Sequence, residues 1–234
     1  MFDYSIVGAG VTGSVIARQL HDAGFRVLVL DRRRQVGGNV HDHLHGSGIR
    51  VHTYGPHYFR TGSDEVWRFV NRFASFYPYE ANVQAHVRGS YRNWPLSASD
   101  IRRQMGEGWT PEFTGTPANF EEGALSLMPR KVYELFVKEY NEKQWGVPAT
   151  QLAADLCTRF DVRTDDDPRL TPKARYQGLP IGGYAGMMER MLAGIPVELG
   201  VDFLKNRDAV KPAVATIYTG SIDAFFETVA PLPV

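Results

Sequence analysis

The chain has 234 residues, 43% of them hydrophobic, enough for a sizeable core in one large domain or two small ones. Lys and Arg number 26, and so do Asp and Glu; a net charge of +0 removes the electrostatic case for nucleic acid or an anionic membrane as partner. Cys157 is the one cysteine, so no intrachain disulfide is available, which fits a reducing cytoplasm, and no apolar run reaches membrane-spanning length.

Met1 leads almost directly into a strand, so no secretory leader is expected. Tyr4 to Val7 read as a short buried strand, followed at once by Gly8-Ala9-Gly10-Val11-Thr12-Gly13. A helix then carries Ile16, Leu20 and Ala23 at helical spacing and stops at Gly24. Phe25 to Leu30 give a second apolar strand with Asp31 at its end. Strand, glycine turn, helix, strand and acid are the elements a dinucleotide fingerprint needs. Gly8 permits the tight turn, Gly10 lets backbone approach a pyrophosphate, and Gly13 lets the helix pack on the sheet. The helix start offers free N–H groups to phosphate, and Asp31 can accept from an adenosine ribose. Val11 and Arg32 flank these positions and join the cofactor-binding candidates. An acid at the ribose position argues against a 2′-phosphate, despite Arg32-Arg33-Arg34. Gly37-Gly38-Asn39 bring a second glycine pair, as two-dinucleotide flavoproteins do, and favour FAD. The competing reading is a glycine-rich surface turn.

His41, His43 and His45 alternate in VHDHLHG, which on a strand puts all three on one face. That is how a metal site begins, but no later Cys/His/Asp cluster answers them, so a polar connecting strand is expected and no metal. In VHTYGPHYFRT a turn at Tyr54-Gly55-Pro56 delivers His57 among Tyr54, Tyr58 and Phe59. From spacing alone His57 sits either against a flavin ring or in the core. Ser63-Asp64-Glu65 cap a helix whose Val66, Phe69, Val70 and Phe73 are expected in the core. Residues 81–95 alternate like a hairpin about Gly89-Ser90, and Ser97 starts a helix. Residues 106–117 read as a loop. Asn119 opens another helix, and a further one covers Lys131 to Gln144 with Val132, Leu135, Phe136 and Tyr140 on its buried face, closed by Trp145-Gly146. Arg159 and Arg163, four positions apart, are able to meet phosphate or to form a surface pair neutralised by Asp165-Asp166-Asp167. Residues 177–186 read as a Gly/Pro turn into a helix, and residues 195–199 and 213–218 as strands, the second ending in the cofactor-type turn Thr219-Gly220-Ser221.

Taken together, GAGVTG, LDRRRQVGGN, YGPHYF, NFEE, YNEKQW, the arginines of RFDVR, GLPIGGY and YTGSID resemble the UDP-galactopyranose mutase family over nearly all of residues 1–226. The resemblance implies an α/β fold: a Rossmann-like FAD-binding domain with a helical insert and a partial antiparallel substrate sheet. Its implied segments are 1–77 (FAD-binding), 78–96 (substrate-sheet strands), 97–151 (helical insert), 152–194 (substrate sheet and mobile loop) and 195–234 (return to the FAD-binding domain, truncated). It implies an isomerase that interconverts UDP-galactopyranose and UDP-galactofuranose, for cell-wall biosynthesis, through attack of reduced-flavin N5 on the anomeric carbon, with no net redox change. By motif match Thr12, Asp31, Asn39 and Tyr58 fall at FAD contacts, His57 near the flavin, and Thr219 and Gly220 beside it. Phe136, Tyr140, Asn141 and Trp145 fall at the nucleotide-sugar pocket, and Arg159 on the diphosphate. His57 and Arg159 are thus the implied catalytic residues.

The chain departs from the family pattern at Arg60, where a second His is usual, at Asp161 (Pro), at Asn141 (Thr) and in the 170–172 region (a Tyr-Phe pair). Family chains also continue well past YTGSID, so a truncated and impaired enzyme is expected. A homodimer is compatible with the resemblance. Two other functions remain open from the sequence: an FAD oxidoreductase of the amine-oxidase type, and a non-catalytic nucleotide-binding remnant.

Overall fold

The computed structural model describes residues 1–106, 108–160, 162–208 and 210–227. Asp161 and residues 228–234, to which the family comparison of motifs gave weight, lie outside the described residues. The described residues divide into two compact units, one made of Met1–Tyr79 with residues 174–227, the other of Glu80–Lys173.

The first unit is built on a parallel sheet in the order Val197–Leu199, Val27–Asp31, Tyr4–Val7, Ala215–Tyr218. Val27–Asp31 is buried at every position, as a strand covered on both faces must be. Helix Val11–Asp22 returns over one face, where Ile16, Ala17 and Leu20 pack with Ile6, Val29, Leu192 and Ile195. The second strand starts two residues later than its apolar run suggests. Phe25 is 39% exposed and lays its ring edge-on to Tyr4 instead.

A three-stranded antiparallel sheet completes the unit, with Tyr176–Pro180 between Phe59–Thr61 and Phe76–Pro78. Residues 177–180 are therefore a central strand, not the turn their Gly and Pro suggest. The strand tolerates Gly178 because the backbone of Tyr77 comes so close that a Cβ would stand 2.7 Å from its carbonyl oxygen. Helix Asp64–Val70 starts on Ser63, whose hydroxyl accepts from Val66 N–H, as expected. Phe73 and Val70 are buried, but Val66 is 43% exposed, since the short helix turns its first residues to solvent.

The alternating histidines lie in and beside a hairpin of Asp42–Leu44 and Arg50–His52. The buried member of that alternation is Asp42, which the sequence did not mark. Its Oδ2 accepts from Tyr184 N–H at 2.7 Å and its Oδ1 from Ala185 N–H at 3.2 Å, capping helix Gly183–Met191, while Arg50 pairs with it at 3.1 Å. Gly183, at φ +83°, is required beneath this carboxylate, because a Cβ would meet Asp42 Oδ1 at 2.5 Å.

In the second unit the hairpin Val83–Val87/Ser90–Trp94 and the helices Ala98–Met105 and Phe120–Leu127 form as expected, the helices capped by Ser97 and Asn119. Phe120, Met128, Tyr133, Val137 and Leu152 make its core. The expected buried face of residues 131–144 needs correction. Tyr133–Lys138 is π-helical, between α-helical Arg130–Val132 and Glu139–Trp145. A π segment inserts one extra residue, so beyond it the core face moves on by one. Val137 and Asn141 are buried where Phe136 and Tyr140 were expected; Phe136 is half-buried and Tyr140 is 59% exposed. Among the described residues no helix is long and apolar enough to cross a membrane.

Replacing Asp42 by Ala strips one buried and one partly buried N–H donor of their acceptor and leaves Arg50 without its carboxylate. The expected loss of stability is about 2–4 kcal/mol, read as a fall in the urea midpoint at unchanged m-value.

Candidate functional site

Three turns meet at the carboxyl edge of the parallel sheet, and the hydrogen bonds that join them follow from the strand ends. Gly8 N–H donates to Leu30 O at 2.7 Å, which turns the chain sharply at φ +116°. Ala9 N–H then reaches Asp31 Oδ2 at 2.7 Å, and Arg33 N–H reaches Oδ1 at 2.7 Å. Gly37 N–H donates to Ala9 O at 2.8 Å and brings the second glycine pair onto the first. The approach leaves no room at Gly38, where a Cβ would stand 2.8 Å from Gly10 Cα. From the other side Thr219 places both its N–H and its hydroxyl on Val7 O at 2.9 Å. Its hydroxyl occupies the space a Cβ on Gly8 would need, just as the Gly8 carbonyl oxygen occupies the space a Cβ on Gly13 would need.

These turns enclose a cleft of about 470 Å³. Gly8, Gly10, Val11, Thr12, Asp31, Arg32, Gly38, Asn39, Thr219 and Gly220, all expected to bind cofactor, line it together. Gly13 lies buried below. His57 and Tyr58 are not among the lining residues. Arg33, Asp202, Phe203, Leu204 and Tyr218 also line the cleft and were missed. The available signal for three of them was position, since residues 202–204 follow the carboxyl end of a sheet strand.

The cleft suits a dinucleotide. Helix Val11–Asp22 begins at Gly10 with no side-chain cap, so its first N–H groups remain for phosphate oxygens. A Cβ on Gly10 would meet only Gly38 Cα, at 3.6 Å, so the glycine there answers to a visitor rather than to the fold. Asp31 is 8% exposed and uses one lone pair on each oxygen for the loops, leaving acceptor capacity for a ribose hydroxyl. Arg33 donates to Asn39 Oδ1 at 2.9 Å and lies 4.4 Å over the Tyr54 ring, stiffening the rim.

His57 is half-buried. Its ring lies parallel to that of His52, with centroids 6.3 Å apart, and its Nδ1 is 2.8 Å from Gly55 O. His41 and His43 both direct Nδ1 to Thr53 Oγ1, at 2.8 and 3.3 Å, and His45 pairs with Ser47. Among the described residues no three His, Cys, Asp or Glu side chains gather as metal ligands.

The residues expected at a nucleotide sugar fall in the second unit. Phe136 stacks on Trp94 at 5.9 Å, and Trp145 packs half-buried against the core. Asn141 is 4% exposed and donates to Val137 O at 2.7 Å, the same backward bond to residue i−4 that the usual Thr can make. The arginine pair separates. Arg163 is buried and donates to the carbonyls of Arg169 and Leu170, whereas Arg159 is exposed with no ion pair among the described residues. The acid run has its own partners. Asp166 accepts from Ser99 N–H and hydroxyl, and hydrogen bonds from Arg169 hold the Asp167 carboxyl down at about 2. Burial and the bond to Glu121 push the Tyr133 hydroxyl above its ordinary range, so it stays neutral in the core.

Residues 135–231 match the family model described as UDP-galactopyranose mutase, and residues 6–73 that of an NAD(P)-binding Rossmann-like domain. A relative in Klebsiella pneumoniae named probable UDP-galactopyranose mutase is 34% identical, with 94% of this chain and 61% of that protein aligned. An Escherichia coli dTDP-fucopyranose mutase is 30% identical over 95% of this chain and 64% of its own length. The chain thus spans under two thirds of the length of these relatives. A crystal structure of reduced UDP-galactopyranose mutase superposes with a TM-score of 0.69 at 18% identity, covering 97% of this chain and 57% of that one. A redesigned putrescine oxidase gives 0.53 at 17%, covering 86% and 51%. These superpositions establish a shared mixed α/β, Rossmann-like fold.

Gly38→Ala forces a side chain onto φ +55° and against Gly10 Cα. It is expected to cost about 1–3 kcal/mol, read by urea unfolding, whereas Gly46→Ala, with open space around it, serves as the neutral control.

Proposed function

We propose that this chain belongs to the UDP-galactopyranose mutase family, binds FAD in the glycine-lined cleft and serves the ring interconversion of UDP-galactopyranose and UDP-galactofuranose. The observation that carries the reading is the convergence of Gly8–Gly13, Gly37-Gly38 and Thr219-Gly220 on one cleft at the carboxyl edge of a parallel sheet. Reduced flavin, when bound, supplies a nucleophilic nitrogen for the anomeric carbon and is not consumed.

The chain's own groups bind and orient. The uncapped helix start at Val11 and Thr12 receives the pyrophosphate, and the spare lone pairs of Asp31 receive the ribose. Asn39 and Arg32 stand at the same rim. His57 carries its proton on Nδ1, because the Gly55 carbonyl can only accept, and it belongs beside the flavin by motif, as does Tyr58. Phe136, Tyr140 and Trp145 offer aromatic faces for uracil, and Asn141 holds their helix. The exposed guanidinium of Arg159 suits a diphosphate. Its charge stabilises UDP both as it leaves the sugar and as it waits to return.

Titration calorimetry with FAD and NADP tests the cofactor: tight FAD and weak NADP are expected, and the reverse overturns it. Gly10→Ala is expected to unfold like the parent, as its Cβ meets only ordinary contact, but to lose at least about tenfold in FAD affinity. Dithionite-reduced protein incubated with UDP-galactofuranose, and separately with dTDP-fucofuranose, then chromatographed, tests the reaction. Conversion of UDP-galactofuranose to the pyranose supports the proposal; loss of the sugar nucleotide without a pyranose product refutes it.

Trp145→Ala is expected to weaken UDP binding by about 1–3 kcal/mol and to leave FAD affinity unchanged. Fluorescence titration with UDP checks this, and an unchanged affinity makes Trp145 a core residue only.

A further inference from the structure

We infer that His52 is a positioning residue for His57, fixing its main chain and hence the ring that the proposed function sets beside the flavin. Its place follows from the hairpin. His52 is the cross-strand partner of Asp42, so the two side chains leave the same face of the ribbon. Asp42 is spent on the start of helix Gly183–Met191, where it accepts from Tyr184 N–H. That bond sets the buried Tyr184 ring edge-on to His52, with centroids 5.9 Å apart. The His52 ring also stacks on the His57 ring, 6.3 Å away and 15° from parallel. His52 thus touches both rings.

One hydrogen bond makes this packing specific. The main-chain N–H of His57 donates to His52 Nδ1 at 3.2 Å. A peptide N–H can only donate, so Nδ1 of His52 carries no proton and, in the neutral ring, the proton is on Nε2. The same logic runs the other way at His57, whose Nδ1 faces the Gly55 carbonyl at 2.8 Å and therefore holds its proton. The turn at Gly55-Pro56 is thus closed twice, by His52 on the His57 backbone and by Gly55 on the His57 ring. Gly55 itself has φ +105°, and a Cβ there would meet nothing within 4 Å. Removal of the His52 acceptor frees the backbone of His57, and with it the ring's orientation and its Nε2 acceptor.

The inference rests on the proposed position of His57, and the test separates the two. His52→Phe keeps a ring for stacking but offers no acceptor, while His52→Asn gives up the ring and offers Oδ1 near the place of Nδ1. In ¹⁵N-labelled full chain, His57 N–H is expected to exchange about tenfold faster in the Phe variant and within about twofold of the parent in the Asn variant. Exchange within strand Val27–Asp31 reports whether each variant is folded. Long-range ¹H–¹⁵N spectra of the parent need no variant: a proton on Nε2 of His52 and on Nδ1 of His57 is expected, and a proton on Nδ1 of His52 overturns the assignment. Equal exchange in parent and Phe variant overturns it too. In FAD-loaded protein the Phe variant is expected to shift the flavin absorbance and midpoint potential, and the Asn variant to restore them. An unshifted flavin in the Phe variant makes His52 a fold residue only and overturns the positioning role. If the chain takes up no flavin, the proposed function fails, and exchange and tautomer still decide the His52–His57 contact.

Discussion

The carboxylate of Asp31 is where the cleft is tied together. One oxygen accepts from Ala9 N–H and the other from Arg33 N–H, so a single side chain at a strand end fastens both the glycine turn before it and the loop after it. Buried to 8% exposure, the charge is compensated by two peptide dipoles rather than by a cation. The other junctions of the cleft lie beside that carboxylate. Ala9, once held, offers its carbonyl to Gly37, and the second glycine pair can then reach the first only because Gly38 carries no Cβ. Val7, one residue before the turn, takes both donors of Thr219. A ribose hydroxyl arriving at Asp31 would therefore meet an acceptor whose direction is already set, which lowers the ordering cost of binding.

The same device recurs around His57. Asp42 is a second buried acid that fastens a backbone segment, here the start of helix Gly183–Met191, and its ion pair with Arg50 neutralises what the helix dipole does not. Through Tyr184 and His52 this second anchor extends to the turn that carries His57. The first unit thus has two rigid points, one under the proposed pyrophosphate and one behind the histidine turn, each made by a carboxylate accepting main-chain N–H bonds.

The second unit solves a different problem. A helix that must plug a core and, under the proposed function, also offer aromatic rings to a ligand has only one apolar face. The π-helical stretch Tyr133–Lys138 shifts that face by one residue, so Val137 and Asn141 fill the core and Phe136 and Tyr140 are turned aside. Asn141 then sends its amide back to Val137, satisfying a polar group in the interior and supporting the wide turn.

Local chemistry was enough to read the strand-glycine-helix-strand-acid unit, the caps at Ser63, Ser97 and Asn119, the hairpin that turns at Gly89 and the glycine stop at Gly146, because each depends on a few neighbouring residues. The motif resemblance pointed to the family and to the proposed site residues from there. What the sequence could not decide were contacts made by residues far apart in it. Residues 177–180 look like a turn until Phe59–Thr61 and Phe76–Pro78 arrive on either side and pair their backbone. Asp42 looks like a spacer between histidines until a helix more than a hundred residues later presents its N-terminus. The phase of residues 131–144 was misjudged by one, since period 3.6 cannot announce a π turn that the packing of Tyr133 and Val137 selects. Periodicity and turn chemistry are local energies, and they set the elements; the pairing of strands, the acceptor for a helix start and the facing of each ring are set by tertiary packing, which is where long-range hydrogen bonds and burial outweigh local preference.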